Sequence, residues 1–212
     1  MHLVMFDVDG TLVNSESFED NLYLECVRKV TSKPIDTNWA NYKNSTDTGI
    51  LDEVIQTHGL GEDPNEVHRI VKELFVTRTI SRLKDNPVNE IPGACDFINE
   101  LKSRADVVIA IATGGWEETA KLKLDSAGID YTGISFASGS EHKSRKGIMK
   151  LAEQKCRIDN ITSKTYFGDA IWDKNASAEL KYNFILVGNR IKHDNQIADF
   201  KNIDQALGLI GL

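Results

Sequence analysis

Apolar positions along the chain fall into two alternating patterns. Short continuous runs rich in β-branched residues recur at Leu3–Phe6, Val107–Ala112, Ile134–Ala137, Thr165–Phe167 and Phe184–Val187. Runs that are continuous rather than alternating mark parallel strands buried on both faces. Between them the period is helical. Phe97, Ile98 and Leu101 share one face, Leu122 and Leu124 lie in a helix that Gly128 stops, and Ile148, Leu151 and Ala152 form a further stripe. Strand alternating with helix predicts an α/β protein with a parallel sheet covered on both faces.

One stretch breaks the alternation. From Val13 to Ile91 only helical periodicity is visible. Phe18, Leu22, Cys26 and Val30 recur every four residues, and Ser45-Thr46-Asp47 offers caps ahead of Ile50, Leu51, Val54 and Ile55. Val67, Ile70, Val71, Leu74 and Phe75 make a third stripe before Pro92-Gly93 punctuates the return to strands. The expected organisation is an α/β core formed by residues 1–12 and 92–212, with a helical insertion at 13–91. Ligands of open α/β sheets bind at the carboxyl ends of strands, so an insertion leaving from the first strand sits over the site.

Composition changes this picture mainly by exclusion. The chain has 212 residues, 41% hydrophobic and 27% charged, an ordinary globular balance. Its longest apolar run, Val107–Ala112, is far short of the roughly 20 residues a membrane span needs. The start, Met1 to Asp7, has no basic segment followed by an apolar core, so a cytoplasmic protein is expected. Twenty-five Lys and Arg against 32 Asp and Glu give a net charge of −7, which argues against a nucleic-acid partner. A small anionic substrate stays open, because a divalent cation reverses the local sign. Cys26, Cys95 and Cys156 are odd in number and far apart, as expected of reduced thiols.

The sharpest chemical signal is Asp7-Val8-Asp9-Gly10-Thr11-Leu12, directly after the first apolar run. Gly10 lets the chain turn at once and brings both carboxylates to one pocket. A calcium-binding EF-hand loop is excluded, since it needs an incoming helix and only six residues precede Asp7. A second candidate is Thr113-Gly114-Gly115 at the end of the run Ile109–Ala112. A third is Gly168-Asp169-Ala170-Ile171-Trp172-Asp173 after Tyr166-Phe167, where Asp173 also has the position of a helix cap. A basic cluster, Lys143-Ser144-Arg145-Lys146, opens the helix carrying Ile148. Helix N-termini favour acids, so bases there suggest an anion to bind.

In that order, these segments resemble the motifs of the haloacid dehalogenase-like (HAD) hydrolase superfamily. Asp7–Leu12 is similar to its DxDGT motif, Ile109–Gly115 to its apolar strand ending in Thr or Ser, and Gly168–Asp173 to its GDxxxD motif. Ile91–Ala94 resembles the re-entry into the core behind a helical cap. Val13–Glu16 looks like the opening of that cap, with Asn14 where an Asp is common. The resemblance implies a three-layer, Rossmann-like core with an inserted helical cap. It also implies a Mg²⁺-dependent phosphatase acting on a small phosphorylated metabolite, with no membrane or nucleic-acid partner, as a monomer or weak homodimer.

The same resemblance implies the roles. Asp7 is the expected nucleophile, forming an aspartyl phosphate. Asp9 is the acid and base for the leaving oxygen and the incoming water. The metal is expected on Asp7, Asp169 and the Asp9 backbone carbonyl, with Asp173 supporting it. Thr113 and a motif-three cation hold the phosphoryl oxygens, with Gly114 and Lys146 lining the substrate. For that cation the spacing to Ile148-Met149 favours Lys143 over Lys146, with Arg145 third. The alternatives are a phosphomutase of β-phosphoglucomutase type, which shares every one of these residues, and a non-catalytic binding protein on this fold. Dehalogenase and phosphonatase chemistry do not keep an Asp at position 9. Trp39, Tyr42 and Gly49 fall in the inserted region, and packing within a small cap explains the two aromatics equally well.

Overall fold

A computed structural model of the chain describes residues 1–60 and 63–212, with Glu16 and Ser17 described by their backbone only. Six strands form one parallel sheet: β1 (His2–Phe6), β2 (Val107–Ala112), β3 (Ser135–Ala137), β4 (Ser163–Gly168), β5 (Asn183–Val187) and β6 (Gln196–Ile197). The spatial order is β3-β2-β1-β4-β5-β6, so β1 is central. Its Phe6 is in register with Ile111 of β2 and Phe167 of β4, which brings three strand ends level. The first five strands lie where the apolar runs place them. The two-residue β6 is too short to leave a pattern and is fixed by pairing with β5.

The pleat divides the central strand between two cores. Val4 and Phe6 face a cluster with Phe97, Leu101, Leu124, Phe167 and Phe200, whereas Leu3 and Met5 face Ile148, Met149, Ala152 and Tyr166. The first cluster is covered by α4 (Ala94–Lys102), α5 (Glu117–Ser126) and α8 (Ile203–Ile210), and the second by α6 (Arg145–Lys155) and α7 (Ile171–Leu180). The Phe6 and Phe167 rings stack at 5.0 Å, and burial of such aromatics dominates core energetics. This is the three-layer α/β architecture.

Between β1 and α4 the described regular structure is helical: α1 (Glu16–Thr31), α2 (Asp47–His58) and α3 (Pro64–Asp85), with one 3₁₀ turn at Trp39–Asn41. Thr46 caps α2 by accepting from the Gly49 N–H at 3.0 Å. Asp63 caps α3, whose Pro64 sits in the first turn, where a missing N–H costs nothing. The helices enclose their own apolar cluster around Tyr23, Val27, Leu51, Val71 and Phe75. Trp116 of the core, 2% exposed, is driven into that cluster and fastens it over the sheet.

Candidate active site

The chain leaves β1 at Phe6, and Asp7 follows at the strand's carboxyl end, its N–H still bonded to the Phe167 carbonyl at 2.9 Å. Gly10, at φ 71°, makes the turn that a side chain would strain. Thr113 follows β2 and Asp169 follows β4, so register alone brings three motifs to one cleft. This cleft, about 90 Å³, is lined by Asp7, Asp9, Thr113, Gly114, Gly115, Arg145 and Asp169 on the core side. Helices α1 and α2, with the segment between them, form the opposite wall.

The carboxylate oxygens of Asp7, Asp169 and Asp173 lie within 4.8 Å of one another, and all three residues are buried. These are hard oxygen donors in the number and grouping that suits a small divalent cation. The Asp9 side chain is not among them. Asp173 is fixed by the Ala170 N–H at 3.2 Å and the Tyr166 hydroxyl at 3.4 Å, so it caps α7 as well. Gly168 is required beside it: a Cβ there would come within 2.7 Å of the Asp173 side chain.

The basic cluster differs from the spacing-based expectation. Lys143 is 55% exposed and reaches away from the cleft to Asp52 of α2 at 3.2 Å. Lys146 is 47% exposed and pairs with Glu179 of α7 at 2.6 Å. The structure brings neither to the cleft. Arg145 enters instead, its Nη1 3.0 Å from Asp7 Oδ1 and its Nε 3.2 Å from Asp173 Oδ1. The reason is the helix boundary. Ser144 is the N-cap of α6, accepting from Gly147, so position 143 still lies outside the helix. Position 145 is the first helical residue, and its side chain leans back toward the N-terminus and the strand ends. Gly114 makes room, since a Cβ there would sit 2.8 Å from Arg145 Nη2.

Thr113 is 1% exposed, and its hydroxyl accepts from the Gly115 N–H at 3.3 Å, leaving its own proton for the cleft. Asp9 is turned toward Lys123 of α5, which is 1% exposed and lies 2.6 Å from Asp9 Oδ1. Ser15 and Glu19 complete that group, each in short contact, the hydroxyl with Asp9 and the Glu19 carboxylate with Lys123. Burial alone would raise the Asp9 carboxyl, but the Lys123 charge and three hydrogen bonds hold it below the ordinary value. Burial and the neighbouring Asp9 push Glu19 well up. Burial also raises Asp7, against the opposing charge of Arg145, and raises Asp173 to about 7.

Residues the sequence pattern did not point to complete the cleft. Asp47, the first residue of α2, accepts from the Trp116 N–H at 2.9 Å, and its own N–H bonds to the Gly114 carbonyl at 3.0 Å. Arg190 pairs with Asp169 at 2.9 Å and lies over the Trp172 ring at 5.2 Å. Trp39 lines the cleft, whereas Tyr42 packs behind it and bonds to the Asp36 carbonyl. Gly49 is held in α2, where a Cβ would meet Asn44 at 2.5 Å.

A parallel sheet with buried carboxylates grouped at the ends of its central strands, beneath inserted helices, defines a class of capped three-layer α/β folds. Residues 4–187 match the haloacid dehalogenase-like hydrolase family, and the chain belongs to it. No curated protein matches the chain. Among solved structures, β-phosphoglucomutase from Clostridium difficile aligns with TM-score 0.74 at 15% identity, covering 99% of this chain and 96% of that one. CbbY from Rhodobacter sphaeroides, solved with phosphate, gives 0.72 at 18% identity and 99% of both chains. A hydrolase from Pseudomonas syringae gives 0.71 at 20% identity, covering 92% of this chain and 88% of that one. At these identities the likeness is one of fold. Among the described residues no helix is long and apolar enough to cross a membrane.

Proposed function

We propose that the protein is a Mg²⁺-dependent phosphatase that hydrolyses a small phosphate monoester through an aspartyl phosphate on Asp7. The observation that carries this reading is the setting of the Asp7 carboxylate. It is buried at the floor of the cleft, 3.0 Å from the Arg145 guanidinium and grouped with the carboxylates of Asp169 and Asp173. A dianionic ester repels a carboxylate, so attack demands positive charge on both reactants. Asp7 and Asp169, with the Asp9 carbonyl, would hold a Mg²⁺ ion, which when bound would supply part of that charge as a Lewis acid.

The chain's own groups do the rest. Arg145 takes the place the spacing reserved for Lys143: its planar fork spans Asp7 and Asp173 and offers donors to phosphoryl oxygens. Asp173, held by Ala170 and Tyr166, fixes the fork from behind. Thr113 donates its hydroxyl proton, and the backbone of Gly114 and Gly115 lines the same side of the cleft. Asp9 serves the leaving oxygen and then the hydrolytic water. It already lines the cleft, and beside Lys123 it is ionised, the form that takes the proton from the hydrolytic water.

A phosphomutase would use the same core. It must also hold a second phosphate at the far end of a bisphosphate, and the described cap residues lining the cleft include no Lys or Arg to do so. That favours hydrolysis. The test is release of inorganic phosphate from p-nitrophenyl phosphate and a panel of phosphorylated metabolites, with Mg²⁺ and with chelator. Mg²⁺-dependent turnover of at least one ester is expected, and none with any ester refutes the reading.

A further inference from the structure

Among the described residues the buried lysines and arginines are two, Arg145 and Lys123, and only the first lines the cleft. Lys123 stands on α5, whose buried residues are Thr119, Ala120, Lys123 and Leu124, so a lysine occupies a position the helix otherwise gives to packing. A lysine is almost never fully buried unless a carboxylate meets it. Here the ammonium meets two, from distant parts of the chain. Asp9, in the turn after β1, presents Oδ1 at 2.6 Å and Oδ2 at 2.7 Å, and Glu19 of α1 is in short contact with the same nitrogen.

Resting on the phosphatase reading, we propose that Lys123 is a positioning residue for the second half-reaction, holding the Asp9 carboxylate where the hydrolytic water gives up its proton. In that step water attacks phosphorus, its proton passes to Asp9, and the bond to the Asp7 oxygen breaks, releasing inorganic phosphate and the free carboxylate. A contact to one oxygen, such as the Ser15 hydroxyl makes to Oδ1, lets a carboxylate pivot, whereas a cation shared by both oxygens fixes its direction. Held in this way, Asp9 keeps an edge in the cleft. A Cβ at Gly115 would lie 3.7 Å from both Asp9 Oδ2 and Thr113 Oγ1, so these two oxygens border the same space. A general base must stand within hydrogen-bond reach of the proton it takes, and a misplacement of about 1 Å costs on the order of 10²-fold. Lys123 does not line the cleft, so it acts through Asp9 rather than on the ester. Because Glu19 belongs to α1, the inserted helices are tied through Lys123 to the same carboxylate.

p-Nitrophenyl phosphate isolates this step, because p-nitrophenolate leaves as a stable anion and takes no proton from Asp9. Enzyme in excess is mixed with the ester in Mg²⁺ and quenched in acid at intervals. Absorbance follows formation of the phosphoenzyme, and intact protein mass follows its decay. In Lys123→Met, decay should slow about tenfold or more while p-nitrophenolate release stays within about threefold of the parent. A purely structural role would slow both steps together or neither. Lys123→Arg, which keeps a cation of different shape, should recover part of the decay rate. Glu19→Gln leaves Lys123 on Asp9 and should slow decay less than Lys123→Met does. If Lys123→Met does not fold, its double variant with Glu19→Gln, which buries one carboxyl fewer, carries the same expectation. A phosphoenzyme that is absent or decays at the parent's rate, or equal slowing of both steps, overturns the assignment. Glu19→Gln matching Lys123→Met also overturns it, since the tie to the cap would then carry the effect. A parent protein that releases phosphate from no ester defeats the phosphatase reading itself, a result distinct from the others.

Discussion

Removal of the Arg145 guanidinium tests the reassignment of the motif-three cation. Arg145→Ala takes a 9% exposed side chain away from two carboxylates at 3.0 and 3.2 Å and leaves both buried without it. Breaking a buried ion pair from one side costs about 3–5 kcal/mol. A domain of this size is stable by roughly 5–15 kcal/mol, so the variant should fold but melt several degrees lower. On the catalytic side, loss of one charged donor to a phosphoryl oxygen should lower kcat about 10²–10³-fold. Arg145→Lys keeps a charge but cannot span Asp7 and Asp173 together, so it should recover melting temperature more than kcat. Steady-state hydrolysis of p-nitrophenyl phosphate at saturating Mg²⁺, with circular dichroism to confirm folding, reads both effects. Lys143→Ala and Lys146→Ala, whose side chains reach Asp52 and Glu179 instead, should stay within about threefold of the parent, as surface ion pairs contribute little. The reasoning is refuted if Arg145→Ala retains kcat within tenfold, or if Lys143→Ala loses as much as Arg145→Ala does.

Chelation should abolish turnover, Mg²⁺ should restore it, and Ca²⁺ should substitute poorly because its coordination is larger and looser; full activity in excess chelator would sink the metal assignment. With β-glucose 1-phosphate and a trace of the 1,6-bisphosphate, free phosphate or no reaction is expected. Rapid glucose 6-phosphate formation with little free phosphate would make the protein a mutase. Burial raises the Asp47 carboxyl to about 7, so the folded state binds this proton more tightly than the unfolded chain. Its contribution to stability is therefore most favourable below about pH 4 and is lost as pH rises to 7 and beyond. Asp47→Asn should accordingly gain melting temperature relative to the parent at pH 8 but not at pH 5, and an equal difference at both pH values would contradict this.

The sheet was legible because buried parallel strands are continuous apolar runs, and local sequence suffices to show them. The carboxyl-end placement of Asp7, Thr113 and Asp169 follows from the same runs, since each residue stands at the end of one. What the sequence could not show are the partnerships across it. Arg145 meets Asp7 across 138 residues, and Lys123 meets Asp9 across 114, with nothing in the local pattern to announce either. One signal for Arg145 was present: Ser144 followed by the apolar pair at 148 and 149 places the helix start at 145. An arginine in a first turn is unfavourable unless a carboxylate faces it. Lys123 lies in a helix with ordinary charge content, and only its burial distinguishes it. Asp47 reads as a good first-turn acid, which it is, while its Trp116 and Gly114 contacts reach from α2 to a segment far along the chain. The two-residue β6 exists only through its ladder with β5.

The central claim is that Asp7 becomes phosphorylated during turnover. Rapid acid quench during hydrolysis in Mg²⁺, followed by borohydride reduction and peptide mass analysis, converts an aspartyl phosphate to homoserine at that position. Homoserine confined to the peptide carrying Asp7, dependent on substrate and absent from an inactive Asp7→Asn protein, is the predicted result. Phosphate release at full rate with no homoserine at position 7, or with Asp7→Asn retaining turnover within tenfold, would contradict it.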